Sequence, residues 1–255
     1  MALQRRRWRI EMTNPGTQSP GKAAASASPD EARTSTPPKQ VLVLDVGGSY
    51  LKALIQGGRQ PIRIVSGADF TPDAMLTRLR SRLHGRHYDA VSIGIPAPVI
   101  HGRVLHDPYN LGKGWAGFDY QAAFGCPVRL INDAAMQALG SYKGKHMLFL
   151  GLGTGLGSAM IVDGVIAPLE LAHLPYRKHT YEYYVGEQAR ERLGGRKWRA
   201  NVDAVIEILR AALQPDYVVL GGGNVKHLRE LPEGVYRGDN ANAFQGGFRL
   251  WQEVV

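Results

Sequence analysis

At 255 residues, 44% of them apolar, the chain is long enough to bury a substantial core in one or two domains. No window approaches the roughly 18 consecutive apolar residues of a membrane helix, so a globular protein working in water is expected, without a membrane partner. Cys126 is the sole cysteine, which excludes an internal disulfide and fits a reducing, cytoplasmic setting. The formal charge of +9 favours anionic partners such as phosphorylated metabolites, polyphosphate or nucleic acid, without choosing among them.

Residues 1–39 carry seven basic side chains against three acidic ones, so part of that charge sits in an N-terminal tail. From Asn14 to Pro38 the chain is dominated by Ser, Thr, Ala, Pro and Gly, and it has too little apolar surface to offset its ordering entropy. A disordered tail over 1–39 is expected. The run Arg5-Arg6-Arg7-Trp8-Arg9 resembles the start of a signal peptide, but no apolar stretch follows it, so export is not expected.

Order is expected from Gln40. The apolar run Val41–Val46 predicts a buried strand entering a tight turn at Gly47-Gly48, with Leu51–Ile55 as its returning partner. Met75, Leu76, Leu79 and Leu83 recur at helical spacing after Pro72 and predict an amphipathic helix. Ala90–Ile95 and Val128–Ile131 read as further buried strands. The second runs into Asn132-Asp133 and a helix over Ala134–Tyr142. The pattern then repeats: Met147–Leu150 ends in a glycine-rich turn, Ser158–Val162 returns, and Asp163-Gly164 is a two-residue turn. Val205, Ile206, Leu209 and Leu213 share one helical face, and the strand Tyr217–Leu220 stops at Gly221-Gly222-Gly223. Gly246-Gly247 reads as a turn, with Phe248, Leu250 and Trp251 packing as a short terminal element. The whole is α/β with a duplicated core, divided into lobes over 40–142 and 143–255.

Glycine turns at strand ends become anion sites when successive N–H groups point into one concavity, although each of these three could be structural. Neither a P-loop nor a Rossmann fingerprint is present; Leu156 stands where Gly151-Leu152-Gly153 would need a third glycine. Asp45 before Gly47-Gly48, with Lys52 beyond, offers a carboxylate for hydrated Mg2+ and a nearby positive charge. A surface Asp and Lys flanking a turn would read the same way. Asn132-Asp133 offers either a rigidly held general base or a helix N-cap. Glu170 and His173 share a face in a turn or helix, as a polyol-binding pair or a surface pair.

Taken in order, these residues resemble the ROK family of sugar kinases, and within it the polyphosphate glucokinase branch. The similarity runs from Val41 to Asn224. Asp45-Val-Gly-Gly-Ser-Tyr-Leu-Lys52 resembles the first phosphate loop, with Ser49 suiting that branch; Ile93-Gly-Ile-Pro-Ala-Pro98 resembles the connecting motif. Asn110-Leu-Gly-Lys-Gly-Trp115 resembles the sugar-side loop and Asn132-Asp133 the catalytic pair. Gly151–Gly157 resembles the second phosphate loop, Glu170-Leu-Ala-His173 the ExGH sugar motif, and Leu220–Asn224 the nucleotide-side turn. Thr180–Gly186 and Lys197-Trp198-Arg199 are similar to segments of the polyphosphate-using branch. Most of the family follows ExGH with a zinc-binding cysteine cluster. This chain has no cysteine after Cys126, so no zinc site is expected. Ala172 replaces the motif's glycine, and its methyl is expected to narrow the sugar pocket or alter the preferred hexose.

The resemblance implies an actin-like, ribonuclease-H-like duplicated fold, two lobes around a cleft, and a homodimer. It implies transfer of a phosphoryl group from polyphosphate, and ATP as a further donor, to the 6-hydroxyl of glucose. Asp133 would be the base, with Asn110, Asn132, Glu170, His173 and Glu182 at the sugar. Gly47, Gly48, Ser49, Lys52, Gly153, Thr154, Gly155, Gly222 and Gly223 would lie at the phosphates, and Asp45 would hold Mg2+ through water. Seven basic residues against three acidic ones between Tyr176 and Arg199 suggest a track for polyphosphate or a solvated helix. The alternatives are an ATP-dependent ROK hexokinase acting on another hexose, and a non-enzymatic sugar-binding or regulatory protein. Residues 1–39 are too short and too rich in Pro and Ser for a helix-turn-helix head, so no nucleic-acid partner is expected.

Overall fold

The computed structural model describes residues 38–252, and the expected tail over 1–39 falls almost wholly outside them. The first half gives β1 (Val41–Val46), β2 (Tyr50–Ile55), β3 (Ile62–Val65), α1 (Pro72–Leu83), β4 (Ala90–Ile95), β5 (Val99–Ile100), β6 (Arg103–Val104), α2 (Tyr120–Phe124), β7 (Val128–Asn132) and α3 (Asp133–Ser141). The second half gives β8 (His146–Leu152), β9 (Leu156–Val162), β10 (Val165–Leu169), β11 (Pro175–Tyr176), β12 (His179–Thr180), α4 (Tyr181–Val185), α5 (Glu187–Leu213), β13 (Tyr217–Gly221), β14 (Val235–Arg237) and α6 (Asn242–Arg249). Helix α5 is broken at Gly194, whose φ of 74° is accessible to glycine without strain.

The duplication is visible in the sheets. One has the order β3-β2-β1-β4-β7 and the other β10-β9-β8-β13-β14. In each, the first strand runs antiparallel to the second and parallel to the fourth in its row. The leading strands β1 and β8 are buried on both faces, as their unbroken apolar runs require. Leu42, Leu44 and Val46 face a core with α1, while Val41 and Val43 face the opposite way. Likewise Leu148, Leu150 and Leu152 face α5, and Met147 and Phe149 turn toward the first sheet. The shared middle core holds α3 and α6 between the two sheets.

Those helices cross at contact distance because their meeting points are glycines. A Cβ on Gly140 would overlap the Asn242 carbonyl, and one on Gly246 would overlap the Met136 carbonyl. On the other side of α6, a Cβ on Gly247 would drive into Val43 of β1. The expectation of a turn at Gly246-Gly247 is therefore corrected. The two glycines lie inside a helix, and their role is close packing against α3 and β1 rather than chain reversal. Phe248, Leu250 and Trp251 do pack as a terminal element against the shared core. Trp251 Nε1 donates to Ser92 Oγ at 2.8 Å, and Ser92 Oγ donates to the Gly247 carbonyl at 2.6 Å, which pins the C-terminal turn to β4.

Candidate active site

The strand ends and the start of α3 converge between the sheets. Asn132 closes β7 and acts as the N-cap of α3: its Oδ1 accepts from Ala134 N at 3.0 Å and Ala135 N at 3.2 Å. Its Nδ2 donates to the Ala97 carbonyl at 3.3 Å. The two readings of the Asn-Asp pair are thus divided between its members, with Asn132 as the cap and Asp133 left at the first helical position. Two glycines, one from each sheet, make room there. A Cβ on Gly94 of β4 would press on Met136 and lie 3.4 Å from Asp133 Cα, and one on Gly157 of β9 would meet Ala134 Cβ at 2.6 Å.

Asp133 is half-buried, and its Oδ2 makes no hydrogen bond among the described residues. Burial first, then the charge of Asp45 and more weakly that of Glu170, push its pKa up to about 7, against the opposing hydrogen bond from Ala134 N. Asp45 and, more weakly, Glu170 thus lie within electrostatic reach of Asp133. Asp45 is buried near the end of β1, and its Oδ2 accepts from Lys52 Nζ at 3.1 Å across the β1–β2 register. Its Oδ1 makes no hydrogen bond among the described residues, and Asp133 is a neighbouring acid. These hard oxygens beside glycine turns fit a Mg2+ ion held mainly by water and donor phosphates. Among the described residues no three His, Cys, Asp or Glu side chains gather into a closed metal cage.

The first turn is braced from behind. Gly47 N donates to the Tyr50 carbonyl at 3.0 Å, Ser66 Oγ donates to the Gly47 carbonyl at 2.6 Å, and Ser66 N donates to the Ser49 carbonyl at 3.0 Å. In the second turn Gly153 N donates to the Gly155 carbonyl at 3.2 Å. The amides of Gly47 and Gly153 are thus committed within their loops, which narrows the expected set of phosphate donors. Gly48, Ser49, Thr154 and Gly155 make no N–H hydrogen bond among the described residues, and they remain available to an anion.

Asn110 is exposed beside Gly48, where a glycine Cβ would meet the Asn110 Cβ at 3.4 Å. Its loop is held by Asp107, which accepts from Trp115 N at 2.7 Å and Ala116 N at 3.1 Å. Trp115 is fully buried, and its Nε1 donates to the Phe70 carbonyl at 3.1 Å. Glu170 is exposed ahead of a short 3-10 turn, Leu171–His173, whose start is fixed by Ser158: its Oγ donates to the Leu169 carbonyl at 2.8 Å and accepts from Leu171 N at 3.2 Å. His173 is exposed at the end of that turn and makes no hydrogen bond among the described residues. Glu182, in α4, sets its carboxyl against Gly155 of the second turn. Ala172 is 4% exposed, and its methyl lies in the core cluster that also holds Leu156 and Tyr181.

Behind the second turn lies a pocket of about 270 Å³, bounded by Gly153, Thr154, Gly223 and Asn224. Asn224 is buried, and its Nδ2 donates to the Gly153 carbonyl at 2.9 Å. Gly222, with a φ of 85°, packs against the Leu152 carbonyl and turns the chain into the pocket wall. The remaining wall comes from Glu187, Arg190, Lys226 and His227. Of the seven basic residues between Tyr176 and Arg199, Arg190 alone reaches this lining. Arg177 lies over the Tyr176 and Tyr184 rings, Arg192 lies 3.9 Å over Tyr183, and Arg199 Nη1 donates to the His227 carbonyl at 3.5 Å. Lys226 and His227 were missed in the sequence. The signal was the glycine triplet itself, since the residues just after such a turn line whatever it opens onto.

No family model matches the chain. It is 27% identical over 224 residues to a polyphosphate glucokinase from Mycobacterium tuberculosis, spanning 78% of this chain and 83% of the relative. In structure it is similar to an inorganic polyphosphate/ATP-glucomannokinase from an Arthrobacter species, with a TM-score of 0.71, 25% identity, and 85% and 98% of the two chains covered. A ROK family glucokinase from Streptomyces griseus, solved with glucose and AMPPNP, matches with a TM-score of 0.67 at 15% identity, over 83% and 98% of the chains. The fold is thus the duplicated, actin-like one of the ROK sugar kinases, and the resemblance to their polyphosphate glucokinase branch holds in sequence and in structure.

Proposed function

We propose that the chain is a hexose kinase that transfers the terminal phosphoryl group of polyphosphate, and also of ATP, to the 6-hydroxyl of glucose. The observation that carries this reading is the placement of Asp133: a half-buried carboxyl at the first position of α3, close enough to Asp45 that burial and that charge push its pKa up to about 7. A general base works best when its pKa lies near the working pH, where it is largely ionised yet still basic enough to take a proton. Asp133 would take the proton of the sugar hydroxyl as that oxygen attacks the phosphorus, with Asn110 and Glu170 among the groups that orient the ring. The free N–H groups of Gly48, Ser49, Thr154 and Gly155 would face the transferring phosphoryl oxygens from both sheets. Mg2+, held through water by Asp45, would neutralise charge on the donor phosphates. Lys52 keeps the Asp45 carboxylate oriented and balances its charge.

Support for glucose and for polyphosphate comes from the relatives' names, and support for the chemistry comes from the site. The test is sugar-phosphate formation from glucose and Mg2+ with ATP and with long-chain polyphosphate, using Asp133→Asn as the blank. General-base catalysis contributes about 10^2- to 10^4-fold, so the variant is expected to lose at least that while remaining folded. A fully active Asp133→Asn protein would overturn the assignment. A homodimer and a cytoplasmic location accompany this reading; sedimentation of the purified chain and fractionation of its host cells test them.

A further inference from the structure

The pocket behind the second turn has a lining that phosphoryl transfer itself leaves unused. It shares Gly153 and Thr154 with the transfer site, so whatever fills it is continuous with the donor. No side chain in its lining is apolar, and its single ring is His227. A nucleobase ordinarily sits in an apolar slot, and this wall offers none.

Its charges point to an anion. Neither Arg190 nor Lys226 forms an ion pair among the described residues, and Arg190 Nε is buried with no hydrogen-bond partner. Their guanidinium and ammonium groups are thus not spent on internal carboxylates, whereas Arg177 and Arg192 are occupied by tyrosine rings. Glu187 is the one carboxylate in the lining, set against these two cations. The start of α5 does not supply the attraction, because Glu187 N already donates to the Gly153 and Thr154 carbonyls. Desolvation first, then Arg190 and Lys226 against the opposing charge of Glu187, hold the His227 imidazole below its ordinary pKa.

We infer that this pocket receives the distal phosphates of a linear polyphosphate donor, and that Arg190 and Lys226 set the preference for that donor over a nucleoside triphosphate. The inference rests on the phosphotransferase reading above. It assigns recognition to two named cations rather than to the whole basic stretch between Tyr176 and Arg199.

The experiment compares kcat/KM for long-chain polyphosphate and for ATP in the wild-type chain, Arg190→Gln, Lys226→Gln and the double variant. Lys226 is exposed, so Lys226→Gln is expected to fold even if Arg190→Gln does not. Each single change should lower the polyphosphate-to-ATP ratio by about tenfold, the size of one hydrogen-bonded charge. The salt dependence with polyphosphate should also become shallower by about one logarithmic unit per cation removed. An unchanged ratio, or one that shifts against ATP, would overturn the inference. If the wild-type chain phosphorylates no hexose with either donor, the function reading fails. Calorimetric titration with polyphosphate alone then decides the pocket: binding that is lost in the double variant supports it, while equal binding or none overturns it.

Discussion

Asp133 is held in its working state against the stability of the fold, and replacing it with asparagine should show this. In the folded chain its pKa is raised from 3.8 to about 7 by burial and by the neighbouring acids. Between those values the folded state keeps a proton that the unfolded chain has already lost, so stability falls as pH rises through that window, and the penalty is complete above about 7. Roughly 3 units at 1.36 kcal/mol each set an upper limit of about 4 kcal/mol. Asparagine carries no charge and keeps an oxygen for the hydrogen bond that Ala134 N now gives Asp133 Oδ1 at 2.8 Å. Asp133→Asn should therefore stabilise the chain at pH 8 by about 1–4 kcal/mol, which for a chain of this size raises Tm by roughly 2–4 °C per kcal/mol. At pH 4 the gain should nearly vanish. Thermal unfolding at both pH values in EDTA, without sugar or donor, makes the comparison. A variant that is less stable than wild type at pH 8, or one that gains equally at both pH values, would refute the reasoning.

Gly246→Ala places a methyl on the Met136 carbonyl where α6 crosses α3, so it should cost about 3 kcal/mol or more, or prevent folding; urea unfolding and soluble yield read this. Ala172→Gly removes a methyl from the core of the second half and adds backbone freedom, so it should destabilise by roughly 1–2 kcal/mol. Its KM for the hexose should stay within about twofold, and a larger change would place Ala172 at the sugar pocket. Lys52→Met leaves Asp45 without its ion pair beside Asp133, so the acid limb of the pH profile of kcat/KM should move to higher pH, an effect that a merely structural lysine would not produce.

The buried strands were legible because their apolar runs are unbroken, and the duplication was legible because each leading strand ends in a glycine turn and returns. The sequence also placed Asp133 beside a helix cap, but it could not divide the roles between Asn132 and Asp133. Cap geometry depends on which carboxamide oxygen meets which N–H, and both residue types serve in that position. Helix α6 escaped notice because Gly246-Gly247 carries a strong local turn signal, whereas the reason for those glycines lies more than a hundred residues away, on α3 and β1. For a related reason, a motif fixes which residues are neighbours in the chain but not that Ala172 is buried in the core cluster that also holds Leu156 and Tyr181.

The two halves have the same strand order but do not contribute the same chemistry. The first supplies Asp45 with Lys52 at the end of β1, and Asp133 at the start of the helix that follows β7. In the second half, the helix that follows β14 is preceded by Ala241 and makes no side-chain cap, and its first turn holds no acid. What that half offers behind its turn is instead the pocket with Arg190 and Lys226. The candidate base thus sits on one half and the unpaired cations of the pocket on the other. Phosphoryl transfer between an alcohol and a polyanion requires such an asymmetry, because the base must stay clear of the donor's charge while the donor's charge must be held. A duplicated fold meets both needs once its two halves have diverged in a few side chains at equivalent strand ends.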